Sequence, residues 1–231
     1  APSGTADRDG CYSGSAIVKD GKLYLMYTSV LGSRQTQSLA VSSDGVHFEK
    51  LGEVIKSDQL PKSCARSDFR DPKVFKRGEL YYAVLGSLST QQEGQILLYR
   101  SPDLFKWEYV GTLRRDMLTT RGIYECPDLI SLGGKDVLIA SPQGYETQDW
   151  RYENLHSSIY MVGELNTEKG SFHIDDEDEI DGGMDFYAPQ TLSAPDGRTV
   201  MIAWMQMWSR TTPTAQHGWV GSMTLPRELT L

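Results

Sequence analysis

The sequence predicts an all-β fold, a β-propeller assembled from repeated blades, and three observations carry that prediction. Similar segments open at Ala16, Pro72, Pro127 and Pro189 at nearly even intervals, and a period of this kind marks a repeat architecture. Each opening leads through an apolar strand to a Gly-containing turn and a second apolar strand, the pattern of a hairpin. Helical periodicity of useful length is absent, and no run approaches the roughly 18 apolar residues of a membrane-spanning helix.

The elements follow in chain order. The first unit opens Ser13-Gly14-Ser15-Ala16-Ile17-Val18, turns at Asp20-Gly21 and returns along Leu23-Tyr24-Leu25-Met26-Tyr27. The second opens Arg70-Asp71-Pro72-Lys73-Val74-Phe75 and turns at Arg77-Gly78; the third opens Glu125-Cys126-Pro127-Asp128-Leu129-Ile130 and turns at Gly133-Gly134. The fourth opens Tyr187-Ala188-Pro189-Gln190-Thr191-Leu192, turns at Asp196-Gly197 and returns along Val200-Met201-Ile202-Ala203-Trp204. A second hairpin follows within the unit, because Leu39-Ala40-Val41-Ser42-Ser43-Asp44 with Phe48 matches Leu97-Leu98-Tyr99-Arg100-Ser101-Pro102-Asp103 with Trp107. Two hairpins give four strands, and four antiparallel strands repeated radially are propeller blades, each hiding apolar faces that a lone blade would expose.

Composition sets limits on this domain, which runs over residues 1–231. A chain of 231 residues with 39% hydrophobic content is long enough for one sizeable β core. A net charge of −8 and a pI of about 5.0 argue against nucleic acid and anionic membrane as partners. Cys11, Cys64 and Cys126 are an odd count without metal-ligand spacing, which predicts no disulfide framework and favours a reducing, cytoplasmic setting. His47, His156, His173 and His217 are scattered, and the acidic run Asp175-Asp176-Glu177-Asp178-Glu179 lacks the Gly and spacing of a calcium loop. No metal or cofactor is therefore expected.

In a propeller the innermost strand of each blade lines the axis, so residues at its entrance project into a central funnel. Tyr124-Glu125-Cys126-Pro127 lies in register with Phe69-Arg70-Asp71-Pro72, which places Glu125 and Asp71 at that funnel. Cleaving a glycosidic bond needs one carboxyl group protonated for the leaving oxygen and another ionised for the oxocarbenium-like centre, and crowding carboxylates drives their pKa values apart. On this reading Arg70 holds Asp71 ionised, while Glu125, between Tyr124 and Cys126-Pro127, sits in the less polar setting and is the acid/base. The expected ligand is a small-molecule carbohydrate.

Four stretches carry a family resemblance: Phe69-Arg70-Asp71-Pro72-Lys73-Val74, Glu125-Cys126-Pro127-Asp128-Leu129, Asp185-Phe186-Tyr187-Ala188-Pro189-Gln190-Thr191, and Gly221-Ser222-Met223-Thr224-Leu225-Pro226-Arg227-Glu228-Leu229. Together they resemble the β-fructofuranosidases of glycoside hydrolase family 32, from Asp9-Gly10-Cys11-Tyr12-Ser13-Gly14 to the C-terminus. The resemblance implies a five-bladed propeller followed by a β-sandwich. It also implies release of fructose from sucrose, sucrose 6-phosphate or related β-fructofuranosides with retention through a double displacement. It casts Asp71 as the carboxylate that binds fructosyl hydroxyls and steadies the transition state, and Glu125 as the general acid/base. Tyr12 and Ser13 become sugar contacts, Cys126 a neighbour that tunes the acid/base, and Tyr187 and Trp208 the aromatic lining of the fructose pocket, with Arg70 completing the substrate-binding set.

One departure matters. The family's nucleophilic aspartate sits in a Trp-Met-Asn-Asp-Pro-Asn-Gly type motif, yet here Asn154 is followed by Leu155 and Asn166 by Thr167. Four openings stand where the resemblance calls for five. The expectation is that the first blade and the sandwich lie outside these residues, that neither Asp7 nor Asp9 substitutes for the nucleophile, and that the chain alone does not turn over sucrose. An arabinofuranosidase- or arabinanase-like propeller hydrolase and a non-catalytic sugar-binding propeller stay open as alternatives. Should the substrate be phosphorylated, Arg114-Arg115 and Lys62 are candidate contacts.

Overall fold

The computed structural model describes residues 2–3, 5–116 and 122–231. Among the described residues, fifteen strands form four antiparallel sheets in strict chain order. The first sheet holds β1 (Gly10–Lys19), β2 (Lys22–Leu31), β3 (Arg34–Ser42) and β4 (Glu49–Ile55). The second holds β5 (Cys64–Arg77), β6 (Leu80–Ser89), β7 (Gly94–Ser101) and β8 (Glu108–Asp116), and the third β9 (Tyr124–Leu132), β10 (Lys135–Pro142), β11 (Ile159–Asn166) and β12 (Ser171–Glu179). The fourth has three strands among the described residues, β13 (Tyr187–Ser193), β14 (Thr199–Trp204) and β15 (Arg227–Leu229), so the fourth unit stops one strand short of the expected four.

Each sheet is an up-and-down meander, and the first strand of each packs against the first strand of the next: β1 on β5, β5 on β9, β9 on β13. These four strands surround the axis, which is the blade arrangement the repeat predicts. The β6 and β10 sequences show why blades stack. Their side chains alternate between the two faces of the sheet, and both faces are covered. In β6, Ala83 and Leu85 join Met26, Leu39 and Phe69 in the core between blades 1 and 2, while Tyr82 and Val84 join Leu129 and Leu138 between blades 2 and 3. In β10, Leu138 and Ala140 face blade 2, whereas Val137 and Ile139 join Phe186, Met201 and Ala203 against blade 4. A strand covered on both faces reads as a continuous apolar run, which accounts for the unbroken Ala83-Val84-Leu85 and Val137-Leu138-Ile139 stretches.

The matched second hairpins turn through one repeated device. Ser42 Oγ accepts the Gly45 N–H and Asp44 Oδ1 accepts those of Val46 and His47; Ser101 Oγ and Asp103 Oδ1 do the same for Leu104, Phe105 and Lys106. Short polar side chains here replace backbone partners in the turn.

All four innermost strands carry a one-residue bulge at one level. In β5 the pairing jumps between Arg70 and Lys73, in β9 between Glu125 and Asp128, in β13 between Tyr187 and Gln190, and in β1 between Tyr12 and Gly14. Bulges re-aim side chains and are over-represented beside active sites. In blades 2 to 4 the residue before the proline takes a left-handed conformation, Asp71 at φ 60°, Cys126 at φ 45° and Ala188 at φ 51°. Such a conformation costs a non-glycine residue on the order of 1–3 kcal/mol and persists where surrounding structure enforces it. In blade 1 the extra residue is Ser13, with no proline to mark it, so the level seen from sequence at Ala16 lies three residues too far along β1.

Odd-numbered strands of each blade run away from the bulges and even-numbered ones return, so the β2–β3, β6–β7, β10–β11 and β14–β15 connections share the face on which the bulged strands begin. In blades 1 and 2 these are the tight Gly32-Ser33 and 90–93 turns; in blades 3 and 4 they are the long 143–158 and 205–226 segments.

Candidate active site

Asp71 and Glu125 come together at the bulges of adjacent inner strands. The Cys126 N–H donates to Asp71 Oδ2 at 3.0 Å, which ties the bulge of β5 to that of β9 one residue beyond Glu125. Arg70 reaches across the same seam, with Nη2 and Nε 3.0 and 3.2 Å from Glu125 Oε1 and Nη1 3.0 Å from Asp68 Oδ1. From blade 4 the Tyr187 hydroxyl donates to Glu125 Oε2 at 2.7 Å. Three blades therefore hold one carboxyl group.

This pairing corrects the expectation for Arg70. Its guanidinium caps Glu125 rather than Asp71, because the bulge turns the left-handed Asp71 toward the Cys126 N–H while Arg70 reaches across the seam. The cation assigned to Asp71 from sequence therefore bonds Glu125 instead. Asp71 is buried, and burial, followed by the repulsion of Glu125, pushes its carboxyl above the usual range even though the Cys126 N–H and the more distant Arg70 charge work the other way. The Cys126 thiol is raised well above its ordinary value, first by burial and then by the Asp71 and Glu125 charges. It stays protonated, 3.6 Å from Asp71 Oδ2, as a weak donor. Tyr187 is likewise raised, by burial and by Glu125, and keeps the proton it donates.

A polar layer on blade 1 supports Asp71 from below. Its N–H donates to Thr28 Oγ1 at 3.0 Å, and Thr28 Oγ1 in turn donates to Gln37 Oε1 at 2.8 Å. Gln35 Oε1 accepts the Phe69 N–H, and Gln37 Nε2 donates to the Phe69 carbonyl at 2.9 Å. None of these residues was singled out from sequence. The available signal was the run Gln35-Thr36-Gln37-Ser38, a wholly polar stretch inside a strand that continues Leu39-Ala40-Val41 and is buried throughout. Buried polar groups persist where they are hydrogen-bonded. On the far side Ser141 accepts the Tyr187 hydroxyl on its carbonyl and the Ala188 N–H on its Oγ, and the His156 ring lies 5.6 Å from that of Tyr187.

Further along the axis, Lys73 Nζ donates to Asp128 Oδ2 at 2.8 Å and to the Thr191 carbonyl at 2.7 Å, while Asp128 Oδ2 also accepts the Thr191 N–H and hydroxyl. Asp128 is fully buried. This knot fastens β5, β9 and β13 to one another just below the bulges.

The remaining predicted residues lie farther out. Tyr12 and Ser13 are exposed on β1 at the bulge, Tyr12 opposite the Thr28 that holds Asp71. Trp208 stands in the 205–226 segment on the same face, two-thirds exposed and edge-on to Trp204 at 5.2 Å; the structure does not draw it into the hydrogen-bonded cluster. Asp7 is committed elsewhere. Its carboxylate meets Lys50, Tyr27, the Ser3 N–H and Cys11, and although burial opposes ionisation, these partners hold it well below the usual carboxylate range. Asp9 accepts the Gly32 N–H and pairs with Arg8. Arg114 bonds Glu177 and so braces blade 2 against blade 3, whereas Arg115 bonds Gln95 within blade 2. Among the described residues no cluster of His, Cys, Asp and Glu is arranged to hold a metal ion, and no helix is long and apolar enough to cross a membrane.

Two carboxylates meet at the mouth of adjacent inner strands of a propeller, and comparison with known proteins gives the family. Residues 1–231 match the N-terminal domain of glycosyl hydrolases family 32, and the chain belongs to that family. It is 44% identical over its whole length to a sucrose-6-phosphate hydrolase of Bacillus subtilis and 39% identical to a raffinose invertase of Escherichia coli, covering 50% and 49% of those proteins. The chain thus spans about half the length of the curated relatives it matches. Among solved structures, a Bombyx mori family 32 β-fructofuranosidase in complex with sucrose superposes with a TM-score of 0.87 at 41% identity, over 95% of this chain and 48% of that one. A Lactobacillus gasseri sucrose-6-phosphate hydrolase superposes with a TM-score of 0.88 at 31% identity, over 98% and 48%.

Proposed function

We propose that this chain is the larger part of the catalytic propeller of a β-fructofuranosidase, which releases fructose from sucrose, sucrose 6-phosphate or a related β-fructofuranoside with retention of configuration. The observation that carries the reading is the convergence of Glu125, Asp71, Arg70 and Tyr187 on one seam of the inner strands. Glu125 is the general acid/base, oriented by Arg70 on one oxygen and Tyr187 on the other. Asp71, pinned by the Cys126 N–H, holds fructosyl hydroxyls, and Tyr12, Ser13, Cys126, Tyr187 and Trp208 complete the sugar pocket. A retaining mechanism needs a second carboxylate roughly 5 Å from the acid/base to attack the anomeric carbon. Asp7 and Asp9 are engaged with Lys50 and Arg8, so we assign the nucleophile to a fifth blade supplied from beyond these 231 residues.

The test is fructose release by the complete gene product. Sucrose or its 6-phosphate should be cleaved, and trapping with methanol should give the β-fructoside. The 231-residue chain alone should release no fructose. An inverted product would favour the arabinanase-like alternative, and turnover by the isolated chain would refute the assignment of the nucleophile.

A further inference from the structure

The rim of the site face is low over blades 1 and 2, where Gly32-Ser33 and 90–93 close the hairpins, and high over blades 3 and 4, where the 143–158 and 205–226 segments rise. The 143–158 segment divides into a tip and a base. At the tip Trp150 is exposed, whereas at the base Tyr145, Tyr152, His156, Ser157 and Ser158 are buried. Buried backbone in a loop must find partners, and the two ends of this segment find them in each other. The Ser157 N–H donates to the Pro142 carbonyl, and Gly144, left-handed at φ 60°, turns its N–H to His156 Nδ1 at 3.0 Å. A ring nitrogen that accepts carries no proton, so the imidazole proton is on Nε2. His156 thereby closes the base of the rim.

The same ring leans on the partner of Glu125. Its centroid lies 5.6 Å from that of Tyr187 with the planes tilted by 43°, and among the described residues it is the one ring against Tyr187. The Tyr187 hydroxyl has a single proton and two acceptors in reach, Glu125 Oε2 at 2.7 Å and the Ser141 carbonyl at 3.1 Å. Ser141 lies on β10 and its hydroxyl meets that of Ser158 at 3.3 Å, so this second acceptor is fixed independently of the phenol. The two distances differ by a few tenths of an ångström. A small rotation of the phenol would therefore hand the proton to Ser141 and leave Glu125 Oε2 without its donor.

We propose that His156 is a positioning residue for the acid/base: its ring, held in place by Gly144, wedges the Tyr187 phenol onto Glu125 rather than Ser141. The proposal rests on the acid/base role of Glu125 given above. The reason a wedge is needed lies in the other cap. Arg70 reaches Glu125 through Nε and Nη2, and both meet the same oxygen, Oε1. The terminal torsion of a glutamate is broad, so a carboxyl group held at one oxygen pivots about it, and the Tyr187 bond to Oε2 fixes its plane. His156 acts on the chemistry only through that bond. Its loss should therefore slow the proton transfer while leaving the binding of sugar hydroxyls nearly as it was.

The experiment measures kcat, KM and melting temperature for sucrose cleavage by the complete gene product and its His156 variants, alone and combined with Tyr187→Phe. His156→Ala should lower kcat by about tenfold, part of the loss that a 1 Å misplacement brings, with KM changed by less than about twofold. His156→Phe keeps a ring against Tyr187 but leaves the Gly144 N–H without its acceptor, so it should melt lower than the parent yet hold kcat within about threefold. His156→Asn, whose amide oxygen takes the place of Nδ1 and which has no ring, should do the reverse. With no hydroxyl left to aim, His156→Ala in the Tyr187→Phe background should cost less than a further twofold or so in kcat. If His156→Ala does not fold, the Phe and Asn variants decide the matter between them. A kcat that follows the acceptor instead of the ring, a His156→Ala loss undiminished in the Tyr187→Phe background, or a loss confined to KM would make His156 a brace of the rim alone and overturn the proposal, with the glycosidase reading intact. Failure of the unaltered protein to release fructose would overturn both.

Discussion

Blades 2 and 3 carry the same bulge at the same level, and they use it in opposite ways. In blade 2 the carboxylate stands on the bulge residue itself: Asp71 is left-handed, buried, and held by the Cys126 N–H and thiol. In blade 3 it stands one position earlier: Glu125 precedes the left-handed Cys126 and meets side-chain partners, a guanidinium and a phenol, from the blades on either side. One register step therefore separates a fixed carboxylate from a steered one. The lesson is that a single repeated backbone irregularity can serve two roles, with the choice of slot deciding which.

Breaking the steered half should have the largest effect. Glu125→Gln in the complete protein should lower kcat by about 10²–10⁴-fold, measured as fructose release, while the chain still folds. Activity within a few-fold of the parent would remove Glu125 from the chemistry.

The fixed half should respond in two directions at once. Asp71→Asn should lower kcat by about 10²–10³-fold, the scale of losing one electrostatic contact to a transition state. It should also raise stability at neutral pH. The sign follows from linkage: Asp71 has a raised folded-state pKa, so the native state binds more protons than the unfolded one between the two pKa values. Stability is therefore lost as pH rises from the unfolded value through the folded one. An amide cannot ionise and escapes that loss, so the melting temperature at pH 7 should rise above that of the parent. The parent-to-variant difference should vanish at pH values below the unfolded pKa. A variant that melts lower at pH 7 would show that burial is not the dominant influence on Asp71.

The seam between the two halves depends on close backbone approach. A Cβ on Gly86, opposite Arg70, would lie 2.0 Å from the Tyr124 carbonyl oxygen, so Gly86→Ala must push blade 3 away and displace Glu125 with it. The expected outcome is a melting temperature lower by about 4–8 °C, for a cost of about 2 kcal/mol, with kcat falling more than KM rises. The smallest effect should come from Thr28→Val, which leaves the buried Asp71 N–H without its acceptor at a cost of about 1–2 kcal/mol. Thermal denaturation should show it, with activity reduced only a few-fold.

Much of this was legible because a proline follows each left-handed residue in blades 2 to 4. Asp71-Pro72, Cys126-Pro127 and Ala188-Pro189 mark the bulges, and the propeller follows from their recurrence. Ser13 was harder to place, since no proline signals its bulge and Ala16 resembled the other openings. Adjacency in sequence pairs Arg70 with Asp71, whereas the bulge re-aims the left-handed Asp71 and the neighbouring blade supplies Glu125 to Arg70. Thr28, Gln35 and Gln37 passed as ordinary strand residues, because the need for polar groups there appears only once the backbone of another blade is laid against them. The rim was the least legible part. The lengths of 143–158 and 205–226 are plain in the sequence, but not that both rise on the same face.

Ala188 occupies in blade 4 the slot that Asp71 fills in blade 2 and Cys126 in blade 3, and it contributes only a methyl group. The backbone there already adopts the unusual conformation, held by the Ser141 hydroxyl, so a longer side chain would inherit its aim without new distortion. Natural variation or laboratory evolution could thus load a third functional group onto the ring by a single codon change, which makes this alanine an economical place to look for altered sugar preference among related chains.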